Sequence, residues 1–424
     1  MTAATSTSAP LELRARYIFP VSSPPLVGGA VSILGSKIVG VSAQASRQAV
    51  DLGDVAIIPG LVNAHAHLEF SSLAEPLGRS GMEFTAWIRQ VIAHRRSAPP
   101  QPGALAQGIA ECIRAGTTTI GEISTQHRFT DAELPPVELT DFAEVICLDR
   151  QRIADVVSAT RSKLEASHLT DHYRPGISPH APYTVHVELL DRLVELAAER
   201  SVPLAMHVAE SSAEMELLAT GGGPFRTLLE ELGVWQSGAI AEQARPLDYL
   251  ERLARAPRSL VIHGNYLDAE EIELLAQHRD RMAVVYCPRT HAFFGHPPHP
   301  LPKLLQAGAR VALGTDGRSS NPDLSLLAEL RFAAGRFAGI APQELLRLAA
   351  LDGAAALGID DRTGSLEVGK DANLACVRVR PGSPADPHEA LLTGDEPVVA
   401  TMFRGQWTWL EPSLAERLTP AERD

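Results

Sequence analysis

Eight apolar, strand-like runs punctuate the middle of the chain, and this alternation constrains the fold more than any other feature. They are DVAIIPGLVNAH, TTTIGEIS, FAEVICLD, YRPGISPH, VPLAMHVAE, SLVIHGN, MAVVYCP and RVALGTD. Helix-like stretches such as VELLDRLVELAAER and DAEEIELLAQHRD lie between them. Strands that alternate with helices build a parallel sheet, and eight such units close into a (β/α)₈ TIM barrel. Residues 59–358 supply ~300 positions for it, within the size range of barrels with insertions.

Both ends of the chain read differently. Within residues 11–58, VSILGSKIVGV sets β-branched residues between glycines, as in a hairpin. Within residues 359–424, GSLEVGKDANLACVRV and PVVATMFRGQWTWL repeat that strand-and-turn character. The two ends are expected to build one small sheet together. Residues 1–10, MTAATSTSAP, form a flexible tail without the basic and apolar regions of a signal peptide.

Composition narrows the class. A hydrophobic share of 45% with 21% charged residues excludes a disordered chain, a collagen and a coiled coil. A net charge of −13 repels phosphate backbones, so no nucleic-acid partner is expected. No run approaches the ~18 apolar residues of a membrane span. Cys112, Cys147, Cys287 and Cys376 are scattered without a CxxC pair, which argues against a disulfide scaffold or zinc ribbon. A soluble cytoplasmic protein is the expectation.

Barrel chemistry sits at the C-terminal ends of strands, and polar residues recur there. The first run ends in His65-Ala66-His67, the fourth in Ser178-Pro179-His180, and the sixth in His263. The fifth ends in His207 with Glu210 just beyond, and the eighth in Asp316. Residues i and i+2 of an extended segment point the same way, so His65 and His67 can aim at one ion. His207 and Asp316 would complete the set. Three imidazoles and a carboxylate suit one divalent metal ion, Zn²⁺ first and Fe²⁺ as a compatible second. An open position on such an ion holds water and lowers its pKa towards ~7. Glu210 is placed to shuttle protons and His263 to orient the nucleophile. Each residue has an ordinary alternative: Asp316 can cap a helix, and Glu210 can sit at a helix N-terminus. The coincidence at four strand ends favours the metal site.

With PGLVNAHAH, HVAE, HGN and LGTDGRSSNPDLSL in hand, the chain resembles the amidohydrolase superfamily, and within it the chlorohydrolase and aromatic-base deaminase branch. The resemblance covers residues from about 10 to 410. It implies a metal-bearing barrel plus a composite β-sandwich from residues 11–58 and 359–424. It also implies metal ligands at His65, His67, His207 and Asp316, with catalytic roles for Glu210, His263 and Asp316. His180 in SPHAPYTV matches a substrate-contacting position. The chain has only four lysines, Lys37, Lys163, Lys303 and Lys370, none near the end of the fourth run. The bridging Lys of binuclear relatives is therefore lacking there, which favours a mononuclear site.

HLEFS, CPRTHAFFG and SSNPDLSL are similar to aminofutalosine deaminases, which hydrolyse an adenine amino group in a menaquinone precursor. Related enzymes act on S-adenosylhomocysteine, methylthioadenosine or adenosine. The resemblance thus implies hydrolytic deamination of an aminated purine nucleoside to the hypoxanthine form and ammonia. A guanine deaminase or a triazine chlorohydrolase is the alternative. Glu69 is a candidate to bind a sugar or base, Arg289 a substrate carboxylate, and Trp87, Phe293 and Phe294 to stack on a purine. Each has a structural alternative: a loop ion pair for Glu69, loop support for Arg289, packing for the aromatics. His296 and His299, in HPPHP, are expected to be exposed, Cys287 to be buried, and Gly221-Gly222-Gly223-Pro224 to be a turn. Relatives are commonly dimers, so a homodimer binding a small molecule is expected by analogy.

Overall fold

The computed structural model describes residues 9–97, 103–125, 135–167, 170–241, 243–382 and 386–418. The first eight residues of the expected tail lie outside them.

The eight central runs form one parallel sheet in chain order. Its strands are Leu61–Ala66, Thr117–Ser124, Glu138–Val145, Tyr173–Pro179, Leu204–Val208, Ser259–His263, Met282–Tyr286 and Val311–Leu313. The sheet curls until its last strand meets its first. There the N–H groups of Thr315 and Asp316 both donate to the His65 carbonyl at 3.1 Å. Five consecutive residues are buried in the fifth, sixth and seventh strands alike, as expected where both faces of a parallel sheet are covered. The third strand starts earlier than its apolar run suggests, because ELTD is polar in sequence. Its polar groups find partners inside: Asp141 accepts from the Tyr173 hydroxyl at 2.8 Å, and Glu138 pairs with Arg362.

The covering helices follow from spacing. Val187–Arg200 buries Leu189, Leu190, Leu193, Val194 and Ala197, one apolar stripe of period 3.6. It begins where His186 accepts from the Glu188 N–H, and it ends at Ser201 in the left-handed region (φ 54°). No described helix is long and apolar enough to cross a membrane.

Both chain ends share a second structure. Val55–Pro59 pairs antiparallel with Leu374–Arg378, which pairs with Val398–Phe403. These strands belong to a six-stranded sheet. A four-stranded sheet holds Leu11–Arg14, the hairpin Ala30–Leu34 with Lys37–Ser42, and Val50–Asp51. Leu13, Val31 and Ile33 of one sheet and Ile57, Leu374 and Met402 of the other share one apolar core. The first apolar run of the sequence is therefore two strands, one for each structure, divided at Gly60.

Gly60 explains the division. A Cβ there would lie 2.1 Å from Thr118 Oγ1 and 2.4 Å from Thr118 Cγ2. Only a bare backbone lets the chain pass the second barrel strand so closely. Gly60→Ala is expected to destabilise the protein by about 1–3 kcal/mol, the usual cost of overpacking a tight site. Urea unfolding with an unchanged m-value is the check.

Candidate active site

His65 comes from the end of the first barrel strand and is fully buried, with neither ring nitrogen hydrogen-bonded. His67, just beyond, also leaves Nδ1 without a partner. Its Nε2 lies 3.3 Å from Nε2 of His207, on the fifth strand. The Nδ1–H of His207 donates to the His180 carbonyl at 2.8 Å, which fixes the ring and leaves Nε2 bare. Asp316, past the eighth strand, brings Oδ1 to 3.5 Å from His65 Nε2 and 3.7 Å from His67 Nε2. The Ser320 hydroxyl donates to its Oδ2 at 2.8 Å.

This donor set fits a divalent ion. Ligand atoms of His65, His67 and Asp316 lie within 4.8 Å of one another, as do those of His65, His207 and His263. Burial first, and the neighbouring His65 second, hold His67 and His207 well below the ordinary imidazole range, in the neutral form a metal requires. Burial alone would push the Asp316 carboxyl up. The close approach of His65, first, and the charges of His67 and His263 outweigh that and hold it below the usual carboxylate range.

A second pair stands beside this cluster. His263 Nε2 is 3.1 Å from Glu210 Oε1, and both side chains are buried. Burial, then the charges of Asp316 and Glu214, push the Glu210 carboxyl well above its ordinary range. Burial pushes the His263 imidazole down. Both shifts favour the uncharged forms of the pair. The backbone under this pair is held by residues absent from the sequence reading. Both oxygens of Glu214 accept main-chain N–H groups, from Ala209 and Glu210, each at 2.8 Å. The Asn265 amide donates to the Glu210 carbonyl at 2.8 Å. Ala209, His263 and Asp316 all take positive φ (54°, 69° and 58°), a conformation few non-glycine residues adopt and one often found at working sites.

These residues floor a cavity that, with its open mouth, encloses about 850 Å³. Its walls are mostly apolar: Phe84, Trp87 and Val91 from the helix Phe84–Ser97, Phe225 and Leu228 from the helix Gly223–Glu231, and Tyr183. Tyr183 stacks on Phe225 with ring centres 3.9 Å apart. Such a chamber suits a flat, largely apolar small molecule.

The expected substrate residues divide. Trp87 lines the cavity, its indole N–H tied to the Ser319 carbonyl at 3.0 Å. His180 lines it too, neutral because burial pushes its pKa down to about 3. Glu69 and Arg289 do not line it. Glu69 accepts from Arg95 at 2.5 Å and from Thr125 at 3.2 Å, the loop ion pair of the alternative reading. Arg289 donates to Asp323 at 2.6 and 2.9 Å and to Glu329 at 2.7 Å, and so supports its own loop. Phe294 packs edge-on against Trp87, with ring centres 5.1 Å apart, behind the wall. Phe293 is partly buried against the same core. Cys287 is buried. His296 is half-buried beside Tyr266. His299 is buried, against the expectation of exposure, because it stacks on Tyr286 at 4.0 Å and its Nε2 donates to the His263 carbonyl at 3.0 Å. Gly221 (φ 68°) closes the helix Ser212–Thr220, and Gly223 opens the next.

Glu144 was missed, although it lies in the third barrel strand, one residue before its C-terminal end, where the strand-end rule points. Its side chain is 5% exposed and faces the cavity. Burial pushes its pKa up to about 7. The native state therefore binds a proton that the unfolded chain has released above pH ~4.5, so this group costs stability as pH rises through that window. Comparing unfolding of the wild type with Glu144→Gln at pH 5 and pH 8 should show the wild type losing about 2–3 kcal/mol relative to the variant.

Comparison with known proteins agrees with this geometry. The model of the Amidohydrolase family matches residues 56–408. A 5-methylthioadenosine/S-adenosylhomocysteine deaminase of Moorella thermoacetica is 29% identical over 86% of this chain and 84% of its own. An aminodeoxyfutalosine deaminase of Deinococcus radiodurans is 31% identical over 78% and 83%. Among solved structures, a zinc-bound adenosine deaminase of Xanthomonas campestris superposes with a TM-score of 0.76 at 25% identity, over 98% of this chain and 95% of the other. A barrel with polar residues at its strand ends, a composite sheet from both termini and a match spanning most of the sequence together place this chain in the amidohydrolase family.

Proposed function

We propose that the protein is a metal-dependent hydrolase that deaminates an aminated purine nucleoside, releasing ammonia and leaving the hypoxanthine form. The observation that carries this is the meeting of His65, His67, His207 and Asp316 beside the Glu210–His263 pair, on the floor of an apolar cavity. The first four residues would hold the ion, zinc by analogy with the Xanthomonas deaminase. When bound, such an ion supplies Lewis acidity and lowers the pKa of water to ~7.

The chain's own residues do the rest. Water oxygen joins the ring carbon and the C–N bond breaks. One water proton ends on the ring nitrogen and the other on departing ammonia. Glu210, kept protonated by burial, gives a proton to the ring nitrogen. Asp316, kept ionised, takes one from the nucleophile. His263 holds Glu210 in place and passes protons across their 3.1 Å contact. The Phe84, Trp87 and Phe225 walls pack the base and exclude bulk water. The catalytic barrel is assigned to residues 59–358 and the composite sandwich to residues 11–58 and 359–424. A cytoplasmic homodimer completes the proposal, and sedimentation tests the dimer.

The direct test is ammonia release by the zinc-loaded protein from adenosine, methylthioadenosine, S-adenosylhomocysteine, aminofutalosine and guanine, with chloride release from a chlorotriazine. Release from a 6-aminopurine nucleoside, with the ultraviolet shift to hypoxanthine, supports the proposal. Ammonia from guanine alone, chloride alone, or silence overturns it.

A further inference from the structure

The cavity wall carries a buried acceptor that the chemistry above does not use. Glu144 Oε1 has no hydrogen-bond partner, and its side chain is 5% exposed. Buried polar atoms without partners are rare, and one facing a cavity points to what enters it. The atom beside it is His180 Nε2, at 3.9 Å, beyond hydrogen-bond reach.

The tautomer of His180 follows from its other nitrogen. Thr184 Oγ1–H donates to the Ala181 carbonyl at 3.2 Å, so this hydroxyl accepts from His180 Nδ1–H at 2.7 Å. Nε2 is then a bare acceptor. Above about pH 7, where Glu144 is ionised, two acceptors thus stand side by side, 3.9 Å apart. Arg95, the cation on this wall, has an arm committed to Glu69. A pair of acceptors this close fits two neighbouring hydroxyl groups, each donating to one of them.

Position agrees with that chemistry. The His180 ring centre is 5.1 Å from that of His207, and Glu144 Oε1 is 3.9 Å from His180 Nε2. Glu144, His180, His207 and Asp316 line the same cavity, so a nucleoside that fills it meets this pair as well as the cluster.

On the reading of the site as a nucleoside deaminase, we propose that Glu144 is a specificity-determining residue that, with His180 Nε2, accepts the hydroxyl protons of the sugar's vicinal diol. The experiment compares kcat/KM for the best nucleoside of the panel with that for its 2′-deoxy and 3′-deoxy forms. The wild type should favour the diol over at least one deoxy form by about 10–100-fold. Glu144→Leu should lose a similar factor on the diol substrate and lose nothing further on that deoxy form. Their ratio then falls to about one. Glu144→Gln keeps an acceptor oxygen and should keep part of the preference. Because each ratio is taken within one preparation, loss of folded enzyme cancels. A wild type indifferent to the diol, or a Leu variant that keeps the full ratio, overturns the inference alone. Absence of nucleoside deamination overturns the proposed function and this inference with it.

Discussion

Glu210→Gln is expected to lower kcat by about 10²–10⁴-fold, the range for losing a positioned general acid, while metal content stays unchanged. The reasoning runs from burial. The carboxyl is buried beside the charge of Asp316, which pushes it towards the protonated form at a pH where an exposed glutamate would be ionised. Glutamine preserves shape and keeps an amide for His263 at the 3.1 Å contact. It has no proton to give to a ring nitrogen. KM should therefore move little while kcat collapses, the mark of an interaction made mainly in the transition state. Metal analysis and single-turnover kinetics on one preparation check both halves. Full turnover in this variant would remove Glu210 from the mechanism.

Removing the metal should have the largest effect of all. Dialysis against a chelator is expected to abolish turnover and to lower the melting temperature, with both restored by adding zinc. A ligand that binds only the folded state stabilises it by about 2.7 kcal/mol at one hundred times its dissociation constant. Without the ion, Nε2 of His65, which faces Asp316, stays buried and unsatisfied, a state that costs free energy. Asp316→Asn should act similarly, because it removes the one negative charge the histidine cluster is built around. Elemental analysis of this variant should show lost metal. Metal retained at wild-type stoichiometry would exclude Asp316 as a ligand.

Much of this was legible in sequence because barrel strands announce themselves twice. Their interiors are apolar, as in MAVVY, and their C-terminal ends turn polar, as in HAH and GTD. That second signal found His65, His67, His207, His263 and Asp316 together. It passed over Glu144 because the third strand carries polar residues along its length, so its end did not stand out. Glu214 is equally silent, since its role is to accept two backbone N–H groups four and five residues upstream, and nothing in HVAESSAE separates it from a solvated glutamate. Arg289 and Glu69 misled because a charge in a strand-end loop reads the same whether it faces a ligand or a partner. Asp323, Glu329 and Arg95 decided the matter, and only the fold brings them near. His299 misled for the opposite reason. Its proline-rich surroundings suggest a surface loop, while its ring stacks inside on Tyr286.

The pairing of Val55–Pro59 with Leu374–Arg378 carries a consequence for how the molecule is made. Gly60 is all that separates the earlier strand from the barrel strand that bears His65. Its partner is synthesised roughly three hundred residues later, and contacts between such distant segments close slowly. A chain emerging from the ribosome can collapse its central units in order. The strand leading into the histidine cluster nevertheless keeps an open edge until Leu374–Arg378 has been translated. The two distant segments act as a latch, closed only once Leu374–Arg378 has been made.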